Sequence, residues 1–233
     1  MCGIVGILKF NDEDIKKQEL VFFTSSLTHR GPDGSGIFID QTKQIGLGHT
    51  RTTTFDPTEA AIQPMSFSSE RYWITFNGEI YNFIEIREEL KSIGYIFKTE
   101  SDTEVILAAY SEWGEDSRFK FNGDWAFAIW DNKKKNLFIS SDRFGTKPIY
   151  YIRHQNYFVF ASELKAFMFL PKNMKPEFDY SFLLWLGGNQ GSVNTFLKDV
   201  FLLPGGHQIN ISKENLFSYK KSWKTINHLV DIP

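Results

Sequence analysis

The chain begins MCGIVGILKF (residues 1–10), and this stretch bears most directly on both fold and chemistry. The apolar run IVGIL (4–8) is rich in β-branched residues, which predicts a buried strand at the very start of the chain. Cys2 stands directly before that strand and is the only cysteine among 233 residues. Its position beside the chain's own amino group calls for a chemical reason.

The composition is that of a soluble globular protein, with 42% hydrophobic and 23% charged residues. Twenty-six basic against 28 acidic residues give a net charge of −2. This balance does not favour nucleic acid or an anionic membrane surface as a partner, so a small molecule or a protein is expected. The length is compatible with one domain spanning residues 1–233, with a core over about residues 2–210.

Targeting and redox signals are weak. The apolar start ends at Lys9, which is too short for a signal-peptide core, and no apolar run reaches the ~20 residues of a membrane helix. A single cysteine cannot form an internal disulfide, and the spacings typical of metal sites are absent. We therefore expect a cytoplasmic protein with no metal and no cofactor in this domain.

Hydrophobic patterns predict several strands and three helices. The predicted strands are IVGIL (4–8), GIFI (36–39), RYWITF (71–76), AFAIW (126–130), LFIS (137–140), PIYYI (148–152) and YFVFA (157–161). The predicted helices cover residues 15–27, 79–94 and 101–114, the last with a capping box formed by Ser101 and Glu104. Strands that cluster as hairpins and helices that come in blocks indicate an α+β fold with antiparallel sheet.

The glycine-rich joints RGPDGSG (30–36) and GTK (145–147) are better explained as structural turns than as phosphate loops. The first leads into a strand, and the lysine of the second is not followed by Ser or Thr. The polar NKKK segment (132–135) is typical of a solvated hairpin loop between two strands.

Three other positions could carry chemistry. In FNGEIYN (76–82), Asn77 and Gly78 between a strand and a helix could bring a side-chain amide and a backbone N–H into one space, although a simple turn is the alternative. The second copy, FNGDW (121–125), precedes a strand and needs only a turn. Arg51 follows an apolar strand and could grip a carboxylate with two hydrogen bonds, or lie at the surface.

Neighbouring polar residues have ordinary structural explanations. His49 is more typical of a buried structural histidine than of a base. Asp102 begins a predicted helix, where the helix dipole favours an acid.

Taken together and in order, these segments resemble the glutamine-hydrolysing domain of asparagine synthetases, a class II glutamine amidotransferase. The resemblance covers nearly the whole chain through MCGIVGI, LTHRGPDG, GLGHTR, QPM, FNGEIYN, SDTEVIL, NGDWAFAIWD, DRFGTKPIYY, FASELKA and LPGGH. It implies a four-layer αββα sandwich, in which two antiparallel sheets are flanked by helices, with the architecture of an N-terminal-nucleophile (Ntn) hydrolase. It also implies a single type-2 amidotransferase domain over residues 1–233.

The resemblance gives Cys2 a role. Removal of Met1 would leave Cys2 as the first residue, with the thiol as nucleophile and its own amine as base. The thiol would attack the side-chain amide of glutamine, release ammonia and leave a thioester that water converts to glutamate. By the same resemblance, the Asn77 side chain and the Gly78 N–H form the oxyanion hole.

The rest of the site is also carried over from the family. Arg51 would bind the α-carboxylate of glutamine, and Asp102 and Glu79 the α-ammonium. Thr52, Thr53, Thr54 and Phe55 would line the pocket, although this chain has a threonine run where typical members have an apolar Leu-Ser-Ile-like one. That substitution leaves the affinity for glutamine open.

The resemblance also points to a partner. Asparagine synthetases continue into an ATP-pyrophosphatase domain with an SGG-x-DS-like loop, which this sequence lacks: Gly187-Gly188 and Gly205-Gly206 have no such context. ATP and Mg²⁺ are implied only for that domain, which would be a missing part or a separate chain. The ammonia acceptor and the oligomeric state, with a homodimer as one option, stay open.

Two alternative functions remain at this point. The chain could be a catalytically silent scaffold of a synthetase-like protein, or an Ntn hydrolase that acts on another amide. The combination of Cys2, Arg51, Asn77 and Asp102 argues against a silent scaffold. An arginine and an aspartate that fit a free amino acid argue against a peptide or acyl amide.

Overall fold

A computed structural model describes residues 1–54, 56–181, 193–214 and 216–223. The helices in these ranges are α1 (Lys17–Ser25), α2 (Phe83–Ser92) and α3 (Asp102–Trp113). The strands are β1 (Gly3–Lys9), β2 (Gly34–Ile39), β3 (Ile45–Arg51), β4 (Met65–Phe67), β5 (Tyr72–Ile80), β6 (Gly123–Asp131), β7 (Asn136–Ser141), β8 (Tyr150–Arg153), β9 (Tyr157–Ala161), β10 (Val200–Leu202), β11 (His207–Ser212) and β12 (Phe217–Lys221). Short 3₁₀ helices cover Glu59–Ala61, Gly114–Phe119 and Leu164–Phe169.

Within the described ranges the strands form two six-stranded sheets. The first, which we call the nucleophile sheet, has the order β10-β8-β9-β1-β3-β2, and the second, the oxyanion sheet, has the order β12-β11-β7-β6-β5-β4. Neighbouring strands in both sheets pair antiparallel. Five of the ten neighbouring pairs join consecutive strands that are separated by five residues or fewer, which is why the sequence pattern showed strands in clusters rather than strand–helix alternation.

The chain start lies in the middle of the nucleophile sheet because β1 is apolar on both faces. Ile4 and Leu8 pack between the two sheets, whereas Val5 and Ile7 pack beneath α1. All seven residues of β1 are buried. Side chains of a strand alternate between its faces, so the position of Cys2, two residues before Ile4, directs it toward the space between the sheets.

Three apolar clusters separate four layers. One lies between α1 and the nucleophile sheet, one between the two sheets, and one between the oxyanion sheet and the pair α2 and α3. The predicted α+β, αββα sandwich of two antiparallel sheets is therefore confirmed.

Most predicted elements are confirmed. Among the strands that the pattern did not predict, β11 has the sequence HQINIS, in which polar residues separate its two isoleucines, and the other three are short or exposed. β4 and β10 contain only three residues each, and β12 is a largely exposed edge strand with the sequence FSYKK. Short or polar strands carry little hydrophobic periodicity, so their pairing depends on a neighbour that is distant in sequence. Gly187-Gly188 lies outside the described residues.

The interpretation of Asn77 and Gly78 as a joint between strand and helix is wrong. Both residues lie inside β5, opposite Ala126 and Trp125 of β6, and α2 begins only at Phe83. The long pairing with β6 keeps this segment extended past the dipeptide. The amide and the N–H are thus held by a paired strand and not by a turn.

The predicted capping box is also wrong in one half. Ser101 caps α3, with its Oγ accepting a hydrogen bond from Thr103 N at 3.1 Å. The Glu104 carboxylate instead accepts from Lys98 N and Thr99 N, at 3.0 and 2.8 Å. The loop before the helix offers these free N–H groups, so the glutamate fixes the loop rather than the cap.

In the part of the chain that is described, no helix has the length and apolar character needed to cross a membrane.

Candidate active site

A small cavity of about 50 Å³ lies between the two sheets, where the residue before β1 meets β5. It brings together six of the residues that the sequence predicted for the site: Cys2, Arg51, Thr52, Thr54, Gly78 and Asp102. Seven other residues complete its wall: His49, Asp56, Ala61, Gln63, Phe76, Ser101 and Thr103. These residues come from the position before β1, from β3, β5 and the start of α3, and from the segment after β3.

The Cys2 thiol lies against the backbone of Thr52. Thr52 N donates to Cys2 Sγ at 3.4 Å, and the thiol lies 3.6 Å from Thr52 O. Burial raises the pKa of the Cys2 thiol, although the hydrogen bond from Thr52 lowers it in part. A thiol with a raised pKa is protonated at neutral pH, so it needs a base at close range to become a nucleophile.

The backbone of Cys2 is held from another direction. Arg30 Nε donates to Cys2 O at 2.9 Å, and Arg30 Nη1 donates to Glu163 Oε1 at 2.9 Å. In this chain Met1 is present, and its amino group donates to Thr52 Oγ1 at 3.2 Å. Sequence reasoning did not identify Arg30 as a site residue, although it lies in the LTHRGPDG block.

Asn77 supplies a buried donor without a partner. The side chain is 1% exposed, and its Nδ2 has no hydrogen-bond partner among the described residues. Alternation along β5 places Asn77 and Thr75 on the face toward the nucleophile sheet, where Thr75 Oγ1 donates to Gly48 O at 3.0 Å. A buried N–H left unpaired costs about 1–3 kcal/mol, so such a group is a candidate for ligand binding.

Gly78 can only be glycine at this point of the strand. Its φ is +153°, and a Cβ built on it would lie 2.1 Å from Asp124 O in β6. Glycine therefore permits both the backbone conformation and the close approach of β5 to β6. The Gly78 backbone forms part of the cavity wall.

Arg51 ends β3 and organises the loop that follows. Its guanidinium donates to Thr58 O at 3.1 Å and to Asp56 O. The Asp56 carboxylate in turn accepts from Thr58 N at 2.8 Å and from Glu100 N at 3.0 Å. The loop thus folds around the arginine, which keeps a positive charge at the cavity wall.

Asp102 contributes an acid to the cavity wall. It is the first residue of α3 and is 4% exposed, and its Oδ2 accepts from Ile80 N at 3.0 Å. Burial raises the pKa of Asp102 to about 6, and the negative charge of Glu79 adds to the increase. Glu79 itself is not part of the cavity wall, so its predicted contact with the substrate remains a prediction.

His49 links the two sheets. Its Nε2 lies 3.2 Å from Phe76 O. Because a carbonyl can only accept, Nε2 carries the hydrogen and Nδ1 is left as an acceptor. Burial lowers the pKa of His49 to about 3, so the ring is neutral.

The three residues of the threonine run, Thr52 to Thr54, differ in their positions relative to the cavity. Thr52 and Thr54 line the cavity, whereas Thr53 is exposed and its N donates to Asp33 Oδ2 at 2.8 Å. Phe55 lies outside the described residues. Contacts of Thr52 with the thiol run through its backbone, which the replacement of an apolar residue by threonine preserves.

Gln63 is a cavity residue whose role the sequence did not suggest. Its Oε1 accepts from Phe76 N at 2.7 Å, and its Nε2 donates to Thr103 Oγ1 at 3.2 Å. It therefore ties the loop after β3 to β5 and α3. A glutamine within the QPM segment was a signal for this position, but only the fold brings it against both elements.

The fold defines a class of protein. Two facing antiparallel sheets flanked by helices form an αββα sandwich, and Cys2 stands directly before a central strand of one sheet. The same fold occurs in glutamine phosphoribosylpyrophosphate (PRPP) amidotransferase from Bacillus subtilis, solved with ADP and GMP. The TM-score is 0.71 at 19% identity, over 95% of this chain and 49% of that chain.

Sequence comparison gives the family. Residues 1–223 match the family described as "Glutamine amidotransferase domain", and the chain belongs to that family. It is 43% identical over 173 residues to asparagine synthetase [glutamine-hydrolyzing] 1 of Bacillus subtilis, covering 72% of this chain and 27% of the relative. It is 36% identical over 222 residues to asparagine synthetase [glutamine-hydrolyzing] 3 of the same organism, covering 93% of this chain and 36% of the relative. The chain thus spans about a third of the length of these relatives.

Proposed function

We propose that this domain hydrolyses glutamine to glutamate and ammonia through a thioester on Cys2. The observation that carries the proposal is the cavity itself. Arg51 and Asp102 place opposite charges at its wall beside a thiol, and the buried Asn77 amide lies next to the wall residue Gly78. A free α-amino acid carries both a carboxylate and an ammonium, so a site with one cation and one anion matches it at two points.

In the proposed complex, Arg51 and Asp102 bind different groups of glutamine. Arg51 binds the α-carboxylate with the guanidinium N–H groups that the loop carbonyls do not use. Asp102 receives the α-ammonium in its ionised form. A neighbouring cation lowers the pKa of a carboxyl, so the bound ammonium keeps Asp102 ionised. Glu79 and the backbone of residues 52–55 complete the proposed pocket.

In the proposed chemical step, Cys2 supplies both the nucleophile and the base. After Met1 is removed, the Cys2 amine takes the proton of the thiol, and the thiolate attacks the side-chain carbonyl carbon of glutamine. The oxyanion accepts hydrogen bonds from Asn77 Nδ2 and Gly78 N. The amine returns the proton to the leaving nitrogen, ammonia departs, and water hydrolyses the thioester to free Cys2 and glutamate.

The released ammonia is proposed to serve an ATP-dependent amide-forming partner. The support is the similarity to relatives that are named as glutamine-hydrolysing asparagine synthetases. Such a partner would carry the ATP and Mg²⁺, while this domain would need no cofactor. A cytoplasmic location and a homodimer remain predictions, and the acceptor is aspartate or another carboxylate.

The test uses the purified chain with its N-terminus verified by mass spectrometry to be Cys2. Glutamate and ammonia are measured with glutamine, with asparagine and with a glutamine derivative whose α-amine is acylated. We expect release from free glutamine without ATP, little from asparagine, and none from the Cys2→Ala variant.

Each alternative has its own signature in this assay. A mature chain that releases no ammonia from any amide would favour the silent scaffold. Faster hydrolysis of the acylated derivative than of free glutamine would favour an Ntn hydrolase for another amide.

A further inference from the structure

The start of β1 is held by a short run of residues that follows β9. Ser162 Oγ accepts from Ile4 N at 3.0 Å, and the next residue, Glu163, accepts from Arg30 Nη1 at 2.9 Å. Arg30 Nε donates to Cys2 O at 2.9 Å. A continuous set of contacts therefore runs from Glu163 through Arg30 to the backbone of the nucleophile.

Burial and additional contacts restrain the ion pair of Arg30 and Glu163. The Arg30 side chain is 9% exposed and that of Glu163 is 26% exposed. A guanidinium is planar and rigid, so two contacts on different nitrogens fix its orientation. Glu163 also lies 2.9 Å from His29 Nε2 and 3.6 Å from Lys165 Nζ. Burial alone would raise the pKa of Glu163, but the hydrogen bonds from Arg30 and His29 lower it overall, which keeps the carboxylate ionised.

The Cys2 carbonyl matters because of where Cys2 stands in the mature chain. A first residue has no peptide bond on its amino side, so no preceding residue restrains the amine. The rotation about the Cα–C bond relates the amine nitrogen to the carbonyl oxygen of the same residue. The hydrogen bond from Arg30 fixes the plane of the Cys2 carbonyl, and the hydrogen bond from Thr52 N holds the thiol. With two substituents of the tetrahedral Cα held in this way, the amine is left with one direction and one path of proton transfer from the thiol.

We propose that Glu163 is a positioning residue that orients the base of the reaction: it holds the Arg30 guanidinium, which holds the Cys2 carbonyl, which sets the direction of the Cys2 amine. Glu163 is not among the residues that line the cavity. The inference rests on the proposed function, because it assigns a role to the amine as base.

The experiment compares Glu163→Ala and Glu163→Gln with a control carboxylate, Glu88→Gln, which is exposed on α2 and paired only with Lys91 among its described ion pairs. All chains are verified to begin at Cys2. Steady-state kinetics with glutamine give kcat and KM, and the rate of alkylation by iodoacetamide from pH 6 to pH 10 reports the ionisation of the thiol. Cys2 is the only thiol in the chain, so the alkylation signal is unambiguous.

We expect Glu163→Ala to lower kcat about 10- to 100-fold with KM changed less than threefold. Alkylation should slow about tenfold near pH 7 and converge with wild type near pH 10, where the thiolate forms without a base. Glu163→Gln, which can still accept from Arg30, should fall between wild type and Glu163→Ala. Glu88→Gln should match wild type in both assays.

The sign of the alkylation change separates positioning from simple electrostatics. Removal of a nearby negative charge would by itself favour the thiolate and speed alkylation at pH 7. Faster alkylation, an unchanged kcat, or a loss confined to KM would each overturn the proposal.

A double-mutant cycle tests the route through Arg30. If Glu163 acts only by holding Arg30, then Glu163→Ala adds little loss of kcat to Arg30→Ala. Additive losses would overturn that route. If wild type itself releases no ammonia, the proposed function fails, and the alkylation profiles of the same chains still decide whether Glu163 sets the ionisation of Cys2.

Discussion

At the scale of single residues, Asn77 presents a donor that the fold leaves unused. Its Nδ2 is buried and has no partner among the described residues, whereas the side chain of Asn122 in the second FNG segment is exposed. The repeated motif thus occurs in two environments. Only the first buries a side-chain amide that has no partner among the described residues.

We predict that Asn77→Ala lowers kcat about 10²- to 10³-fold while KM for glutamine changes little. The reason is that the amide is needed only once negative charge develops on the substrate oxygen. Steady-state kinetics on the mature chain measure both constants. Asn122→Ala is the matched control and should retain full activity, and an equal loss in that variant would remove Asn77 from the oxyanion hole.

Asp102 links stability to substrate binding through its ionisation. Its pKa of about 6 lies above the value of 3.8 for an unperturbed aspartate. The native state therefore binds the proton more tightly than the unfolded state does. Stability falls as pH rises from about 4 to about 6, and the full penalty is present above pH 6.

We predict that Asp102→Asn raises the free energy of unfolding at pH 7.5 by up to about 3 kcal/mol, because the amide is neutral and can still accept from Ile80 N. Urea denaturation should show this gain at pH 7.5 and lose it near pH 4. The control Asp116→Asn, with a carboxylate side chain that is 79% exposed, should have little effect at either pH. A destabilised Asp102→Asn chain at pH 7.5 would contradict the assigned burial penalty.

The same group predicts a pH dependence of binding. An ionised Asp102 is required for the ammonium of glutamine, so KM should rise as pH falls below about 6. In Asp102→Asn, KM should be raised about tenfold or more and should lose this dependence. Glutaminase assays between pH 5 and pH 8 measure both effects, and a pH-dependent KM in the variant would point to another acid.

At the scale of secondary-structure elements, the conformation of the Asn77-Gly78 segment depends on the close pairing of β5 with β6. Gly78 lies opposite Trp125, and its missing side chain lets Asp124 O approach. The strand pair is continuous from Tyr72 to Ile80, so this contact occurs within a paired strand. The backbone N–H of Gly78 therefore inherits the rigidity of the sheet.

We predict that Gly78→Ala destabilises the fold by at least about 2 kcal/mol and reduces kcat by more than tenfold, because Cβ would collide with backbone and the φ of +153° is unfavourable for alanine. Thermal unfolding and kinetics are measured together. Gly34→Ala in the edge strand β2 is the control, since a Cβ there meets nothing within 4 Å. A Gly78→Ala chain with normal stability and activity would contradict the close approach of the strands.

At the scale of the whole molecule, the site is assembled from two sheets. Cys2 precedes the central strand of the nucleophile sheet, and Asn77 and Gly78 lie in the oxyanion sheet. Hydrogen bonds from Thr75 to Gly48 and from His49 to Phe76 connect β5 to β3 across the interface. The distance between Cys2 and the Asn77-Gly78 segment is therefore set by the packing of the two sheets.

We predict that a chain that retains Met1 is inactive although its thiol is intact. Met1 converts the Cys2 amine into a peptide nitrogen, which cannot accept the proton of a thiol whose pKa burial has raised. Mass spectrometry of the N-terminus paired with an ammonia assay measures the effect. Cys2→Ala should lose activity equally while it retains the free amine.

A fully Met1-retaining preparation that releases substantial ammonia would refute the shared-residue mechanism. His49 would be a poor replacement as base, because its ring is buried and its Nε2 hydrogen is bonded to Phe76 O. His29 would then be the next residue to test.

The sequence by itself determined the strands and helices with strong hydrophobic patterns and the α+β class. Through ordered motifs it also determined the αββα sandwich, the family and six of the thirteen residues that line the cavity. These features are local, because they depend on side-chain periodicity and on short segments. The motifs also ranked Asn77 above Asn122, although the two FNG segments look alike over three residues.

Only the tertiary structure decided that Asn77 and Gly78 lie within a strand, that Arg30 and Glu163 hold the backbone of Cys2, and that Gln63 ties β5 to α3. The physical reason is that each of these contacts joins positions far apart in the chain, such as the 133 residues between Arg30 and Glu163. No local propensity encodes such a distance, because it is set by the order of strands in the sheets and by how the two sheets pack.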